Sequence, residues 1–388
     1  MSGSREKEKI YSGFEQGPIR PPSEASSLLI RITRNCPWNR CTFCPVYKGS
    51  AFSLRSVDHV IADIDGISRH INRLREMGNQ SGQISREDLN KYNTKLDASD
   101  RQTFAAAVNW FACGMQSVFL QDANSLIVKP KDLIAILQHL MKCFPWVDRI
   151  TSYARSHTIA RISDEDLKAF AQAGLNRIHI GMESGSDEVL KFVKKGTDKK
   201  THIKAGQKVK KAGIELSEYV MPGLGGKGLS ETHARETADA LNQINPDFIR
   251  LRTLAIPNRV ELYDEYAAGR FEKLTDVETA KELLLFLESL DGITSAIKSD
   301  HILNLFEEID GKYPDDKERL TGVIRKFLEM DPHQRMLYQV GRRLGLFSRL
   351  SDLNNSEMVG RAEETCRQHD INPENVDSVI DELMKRFI

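Results

Sequence analysis

Short runs of aliphatic and β-branched residues recur from position 28 to about 256, and each is followed by a stretch whose apolar positions fall three or four apart. Period two marks a half-buried strand and period 3.6 an amphipathic helix. The runs predict strands over 28–33, 117–121, 149–154, 177–182, 214–220 and 248–254. Helices are predicted over 57–76, 130–143, 163–173, 186–193, 203–212 and 230–244. Strand and helix in strict alternation make parallel β/α units. Six such strands are too few to close an eightfold barrel, so the expected fold is α/β: an open, partial (β/α)6 barrel over 28–257 behind an N-terminal extension, 1–27.

The polar stretch 78–100 and the apolar helix 104–111 behind it interrupt the alternation, as an insertion between the first two units. A solvated loop with one packing helix, or a lid over a substrate, would both read this way. Past Pro257 the pattern turns helical, over 280–290, 317–329, 333–344, 357–369 and 376–387, with a short strand at 292–297. Residues 258–310 are read as an extension on the substrate side and 311–388 as a helical C-terminal region.

Lys+Arg and Asp+Glu are equal at 55 each, so no global field draws the chain to nucleic acid or a membrane. Nine lysines lie between Lys191 and Lys211. They read as a solvated face or an RNA contact, the latter weakened because only Phe192 among them could stack a base. The N-terminal residues lack the apolar core of a secretory signal, and no apolar run reaches about 18 residues. A soluble, cytoplasmic protein with no membrane partner is expected, in keeping with six cysteines lacking a disulfide framework.

Three of those cysteines, Cys36, Cys41 and Cys44, fall within nine residues directly behind the first strand. Three thiolates on one loop suit an iron–sulfur cluster that keeps one iron open for a substrate or cofactor. Structural zinc is the rival, but it prefers four closed ligands, and only Cys41 and Cys44 form a CxxC pair.

In a parallel barrel the active site lies at the carboxyl ends of the strands. Here these ends carry the cysteine loop, Gln121-Asp122-Ala123-Asn124-Ser125, Ser152-Tyr153-Ala154-Arg155, Glu183-Ser184-Gly185-Ser186, Met221-Pro222-Gly223 just past Glu218, and Arg250 with Arg252. Singly each is weak: Asp122 and Ser186 read equally well as helix N-caps, and Arg250 as the partner of an outer salt bridge.

With these residues the chain resembles the radical S-adenosylmethionine (SAM) superfamily. The segment Arg177 to Leu190 looks like the subgroup of oxygen-independent coproporphyrinogen oxidases, tRNA methylthiotransferases and elongator-type enzymes. The resemblance implies a [4Fe-4S] cluster on Cys36, Cys41 and Cys44, whose open iron chelates SAM. Reduction by a donor such as flavodoxin or ferredoxin then cleaves SAM to a 5′-deoxyadenosyl radical, which takes a hydrogen atom from substrate. The family spacing is CxxxCxxC, whereas this loop reads CxxxxCxxC, with one extra residue within Pro37-Trp38-Asn39-Arg40.

Carried over by position, the resemblance implies a SAM pocket of Phe43 near adenine, Asp122 and Asn124 in place of a Gly-Gly-Glu motif, Glu183 at the ribose, Lys195 at the carboxylate, Glu218, and Gly223 in the adenine turn. Tyr153 and Arg155 are assigned to the same pocket. SAM needs carboxylates for its amine and hydroxyls and a cation for its carboxylate, and these residues supply both.

Arg34, Arg250, Arg252, Ser299 and Asp300 are read as substrate-binding, with His301 orienting substrate or transferring a proton. A small anionic metabolite or cofactor precursor is the leading substrate. RNA modification and a non-catalytic cluster carrier are the alternatives.

Overall fold

The computed structural model describes residues 10–78 and 84–384. The N-terminal run 1–9, residues 79–83 of the predicted insertion and the end of the last predicted helix lie outside the described residues. The chain forms two compact units: residues 1–37, 46–179 and 211–214 in the first, and 38–45, 180–210 and 215–388 in the second.

In the first unit β1 (Leu28–Arg31) is buried from Leu28 to Ile30. The chain then turns off, so that the predicted first strand is cut short at Arg31. β2 (Thr33–Arg34) pairs antiparallel with β3 (Ser53–Leu54). Helix α1 (Val57–Met77) starts where the Ser56 hydroxyl accepts the His59 N–H, and buries Val60, Ile64, Ile67, Ile71 and Leu74 at helical spacing. The insertion holds α2 (Arg86–Asn93), which buries nothing, and α3 (Ala98–Ala112), capped by Asp97 and longer than its apolar core predicted. β4 (Ser117–Gln121), α4 (Pro130–Cys143) and β5 (Arg149–Ala154) match the sequence reading to the residue. α5 (Ser156–Ile159) and α6 (Asp164–Gln172) follow. β1 runs parallel to β4 with Arg31 opposite Gln121, and β4 parallel to β5 with Leu120 opposite Ser152.

Strand β6 (Leu175–Glu183) contributes residues to both units. The second unit continues with α7 (Asp187–Phe192), whose N-cap is Ser186, and α8 (Lys199–Lys211). β7 (Glu215–Val220), α9 (Gly226–Ile244) and β8 (Phe248–Leu251) come next. β8 ends three residues early because Thr253 N–H turns to the side chain of Asn304. After α10 (Glu261–Ala267) and the capping-box helix α11 (Asp276–Ser289), β9 (Ala296–Lys298) adds a seventh parallel strand, later than the strand predicted at 292–297. β10 (Gly311–Lys312) pairs with it antiparallel. Helices α12 (Lys317–Glu329), α13 (Pro332–Arg343), α14 (Ser356–Gln368) and α15 (Val376–Met384) complete the unit.

The fold is α/β with mostly parallel pairing, in agreement with the partial-barrel reading. Among the described residues no helix is long and apolar enough to cross a membrane.

Candidate functional site

Strand alternation puts Gly181 and Glu183 of β6 on one face. Lys195 folds back over them, with Nζ 3.1 Å from Glu183 Oε1 and both side chains 13% exposed. A Cβ on Gly181 would lie 2.5 Å from that oxygen and 3.1 Å from the ammonium, so glycine is what leaves the pair room. The same ammonium lies 5.7 Å from the Phe43 ring centroid. Glu218, on β7, is fully buried, and neither of its oxygens has a hydrogen-bond partner among the described residues. Burial pushes its carboxyl well above the ordinary range; Lys195 opposes that shift and Glu183 adds to it.

The loop carrying Cys41 and Cys44 is tied to the segment that presents Lys195. Trp38 Nε1–H donates to the Lys194 carbonyl at 2.7 Å, and Thr42 N–H to the Val193 carbonyl at 3.0 Å. The indole fills the space over Gly196, where a Cβ would lie 2.3 Å from the ring and φ is +71°. The Arg40 guanidinium stacks on the indole, 5.2 Å from its centroid, while Asn39 takes up a positive φ of 46°. The loop's extra residue therefore falls in a turn held by Trp38. Phe43 enters an apolar cluster with Val189, Val193, Leu224, Leu254 and Leu262, and Cys41 and Cys44 pack against its edge.

The first unit holds Cys36, Arg34, Asp122, Asn124, Tyr153 and Arg155. Asp122 is fully buried and fully engaged: Arg31 Nε reaches Oδ2 at 2.8 Å, Asn35 N–H the same oxygen at 3.0 Å, and the Tyr47 hydroxyl Oδ1 at 2.8 Å. Burial, Asp122 and then Cys36 all keep the Tyr47 phenol protonated. Asn124 accepts from Arg155 N–H at 3.0 Å and donates to Thr158 at 2.9 Å, which closes the turn after β4. The Tyr153 ring packs edge-on to Phe119 and tilted to His179. Arg34, expected to meet substrate, is instead clasped by Glu15 through Nε and Nη2, because the N-terminal segment brings an acid to it. Glu15 also pairs with Arg31 and Arg55, and these arginines hold its carboxyl below the usual range against the effect of burial.

The two strand arginines do not share an inward face. β7 and β8 pair Glu218 with Ile249 and Tyr219 with Arg250, and register partners on parallel strands project the same way. Arg250 thus leaves on the face opposite Glu218, where it donates to Ser217 at 3.2 Å and pairs with Asp300 at 2.5 Å. Arg252 lies beyond the strand end and is exposed. Ser299 is buried beside this pair. The His301 Nδ1 accepts the Leu303 N–H at 3.2 Å; burial and then the charge of Arg252 bring its pKa down to about 4, so the ring is neutral near pH 7. Gly223, in the turn after β7, gives its N–H to Glu282 at 2.6 Å. A cavity of about 250 Å³ adjoins this turn, lined also by Thr253, Lys273, Asp377 and Asp381, and not by Glu183, Lys195 or Glu218.

Five of the nine lysines in the run pair with acids: besides Lys195 with Glu183, Lys194 pairs with Glu261, Lys199 with Glu236 and Asp239, Lys210 with Asp247, and Lys211 with Asp164. Sequence reading passed over Tyr47, Glu15 and the anchoring role of Trp38. The signal for the last was present, as an indole in the lengthened loop and a glycine directly after Lys195.

Residues 98–241 match the family model described as the radical SAM superfamily, a span that begins beyond the cysteine loop. The chain is 23% identical over 343 residues to the tRNA uridine(34) acetyltransferase of Methanocaldococcus jannaschii, covering 84% of this chain and 59% of that protein. It is 26% identical over 171 residues to the tRNA uridine(34) acetyltransferase of Methanocaldococcus infernus, covering 43% and 31%. The chain thus spans less than two thirds of these relatives. Among solved structures it is similar to the archaeal Methanocaldococcus infernus Elp3 with an N-terminal deletion, at a TM-score of 0.42 and 15% identity, covering 58% of this chain and 57% of that one. Residues 98–241 thus carry a radical SAM domain, the domain type that works with a [4Fe-4S] cluster and SAM.

Proposed function

We propose that this enzyme modifies tRNA, with the cluster held by Cys36, Cys41 and Cys44 and SAM held against Phe43, Glu183, Lys195 and Glu218. The observation that carries the substrate class is the match to tRNA uridine(34) acetyltransferase along 84% of the chain. The small-anion reading loses two of its three arginines, since Arg34 is spent on Glu15 and Arg250 on Asp300.

The residues fit the cofactors. Three cysteines leave one iron of a four-iron cluster open. A buried carboxylate with no partner is costly unless a ligand supplies donors, and SAM brings an ammonium and two ribose hydroxyls. Lys195 is suited to the SAM carboxylate, exchanging part of its contact with Glu183, and the Phe43 ring offers a flat apolar surface to adenine. When bound, the cluster and SAM would supply one-electron chemistry able to remove a hydrogen atom from substrate. The protein's part is to orient SAM by its two charged ends and to keep water from it with the apolar cluster around Phe43. A protein donor such as flavodoxin or ferredoxin would provide the electron.

The test is 5′-deoxyadenosine release by anaerobically reconstituted, reduced protein with unmodified tRNA, followed by nucleoside mass analysis. Stimulation by tRNA and a new uridine derivative are expected. Stimulation by small carboxylate or phosphate metabolites, with none by tRNA, would restore the metabolite reading.

A further inference from the structure

Helices α1 and α4 pack against each other in the first unit, and at their contact three side chains of different chemistry converge. His139 Nε2 lies 2.7 Å from Asp65 Oδ1, Cys143 Sγ lies 3.5 Å from the same ring nitrogen, and the sulfur is 3.9 Å from the same carboxylate oxygen. His139 and Cys143 sit four apart on α4, so one helix face presents both. Among the described residues this is the group of His, Cys, Asp and Glu whose ligand atoms come together in this way.

A nucleophilic triad would need the two histidine nitrogens to divide the work, one meeting the thiol and the other the acid. Here a single nitrogen meets both. That convergence of N, O and S on one point is what a metal ion uses. A tetrahedral zinc with Zn–S of about 2.3 Å and Zn–N and Zn–O of about 2.0–2.1 Å holds its ligand atoms about 3.3–3.6 Å apart. The sulfur already stands near those distances from both partners, and the nitrogen and oxygen need only separate by roughly 0.6 Å. Asp65 is exposed and His139 and Cys143 are partly so, which leaves an entry path and room for water as fourth ligand. Ser68, one turn after Asp65, hydrogen-bonds the Cys143 thiol and provides a further polar group beside it.

We propose that Asp65, His139 and Cys143 form a binding site for a divalent transition metal of the zinc class, separate from the SAM chemistry and independent of that reading. Binding releases the thiol proton to solvent, breaks the His139–Asp65 hydrogen bond and clips α1 to α4 through three metal–ligand bonds.

The experiment uses the iron-loaded protein, so that Cys36, Cys41 and Cys44 are not open to the added ion. After zinc addition and gel filtration, metal analysis should find about one zinc per chain. Zinc-edge X-ray absorption should show one sulfur at about 2.3 Å and two or three N/O ligands at about 2.0–2.1 Å. Cys143→Ser and His139→Ala should each weaken zinc binding by tenfold or more while leaving iron content and circular dichroism unchanged. Zinc that is not retained by the parent protein, that shows two or more sulfur ligands, or that survives both substitutions would overturn the assignment.

Discussion

Two fully buried carboxylates at strand ends, Asp122 after β4 and Glu218 on β7, are alike in burial and opposite in company. Asp122 receives a guanidinium, a phenol and a backbone N–H; Glu218 receives none. An acid that spends both oxygens on its own chain is part of the framework. One buried without donors costs stability in the ligand-free protein, and a ligand that brings donors can recover that cost. The proposed SAM pocket rests on this difference.

The largest effect expected is from Asp122→Ala. It takes from Arg31 the nearer of its two acids, leaving only Glu15 at 3.3 Å, and removes the partner of Tyr47, a loss of about 3 kcal/mol, the low end of the usual cost of breaking a buried pair. Thermal unfolding of the ligand-free protein is the measurement. A variant that unfolds like the parent but binds SAM poorly would make Asp122 a pocket residue and erase the contrast.

Glu218→Gln should act in the reverse sense. SAM affinity should fall about ten- to a hundredfold, as for a lost charge-assisted hydrogen bond, in titrations at constant cluster content. The ligand-free variant should meanwhile melt higher than the parent at pH 8 and equally with it at pH 4.5. The folded-state pKa of Glu218 lies above the unfolded one, so its contribution is fully present below the ordinary glutamate range and is lost as pH rises toward the raised value. A melting difference that shrinks with rising pH would contradict the assignment of Glu218 as unsatisfied.

Trp38→Ala should come next in size. It removes one hydrogen bond and the ring over Gly196, about 1–2 kcal/mol, and loosens the turn that takes up the extra loop residue. Iron retention after reconstitution should drop, and Trp38→Phe should restore part of it by refilling the space. Equal iron retention in all three proteins would mean that the loop needs no such anchor. The smallest effect belongs to Lys194→Ala. Its exposed pair with Glu261 is worth under about 1 kcal/mol, and the carbonyl that holds Trp38 is backbone and survives the change.

The elements with strong internal periodicity were legible: β4, β5, α4 and α12 match their predicted bounds because burial on one face writes itself into consecutive residues. Helix α2 was not, since it buries nothing and so has no apolar period to read. The site divides in the same way. Glu183, Lys195 and Glu218 are grouped through the resemblance, position by position, and the structure brings the three together. The engagement of Asp122 could not be read, because Arg31 and Tyr47 lie 91 and 75 residues away in sequence and nothing local reports the contact. Nor could the loss of Arg34 to Glu15, an acid in a segment with no strand or helix pattern.

That segment has a consequence for how the protein is made. Residues 14–24 lie along the strand face that carries Gln121 and His179: Gly17 exchanges hydrogen bonds with the Gln121 side chain, and buried Glu24 meets His179 across 155 positions of sequence. The opening residues therefore leave the ribosome long before the partners that fix them exist, and the first unit cannot finish assembling until β6 has been synthesised. During that interval Glu24 lacks both Arg149 and His179 and stays hydrated, and the strand face around Gln121 and His179 stays open to whatever the nascent chain meets.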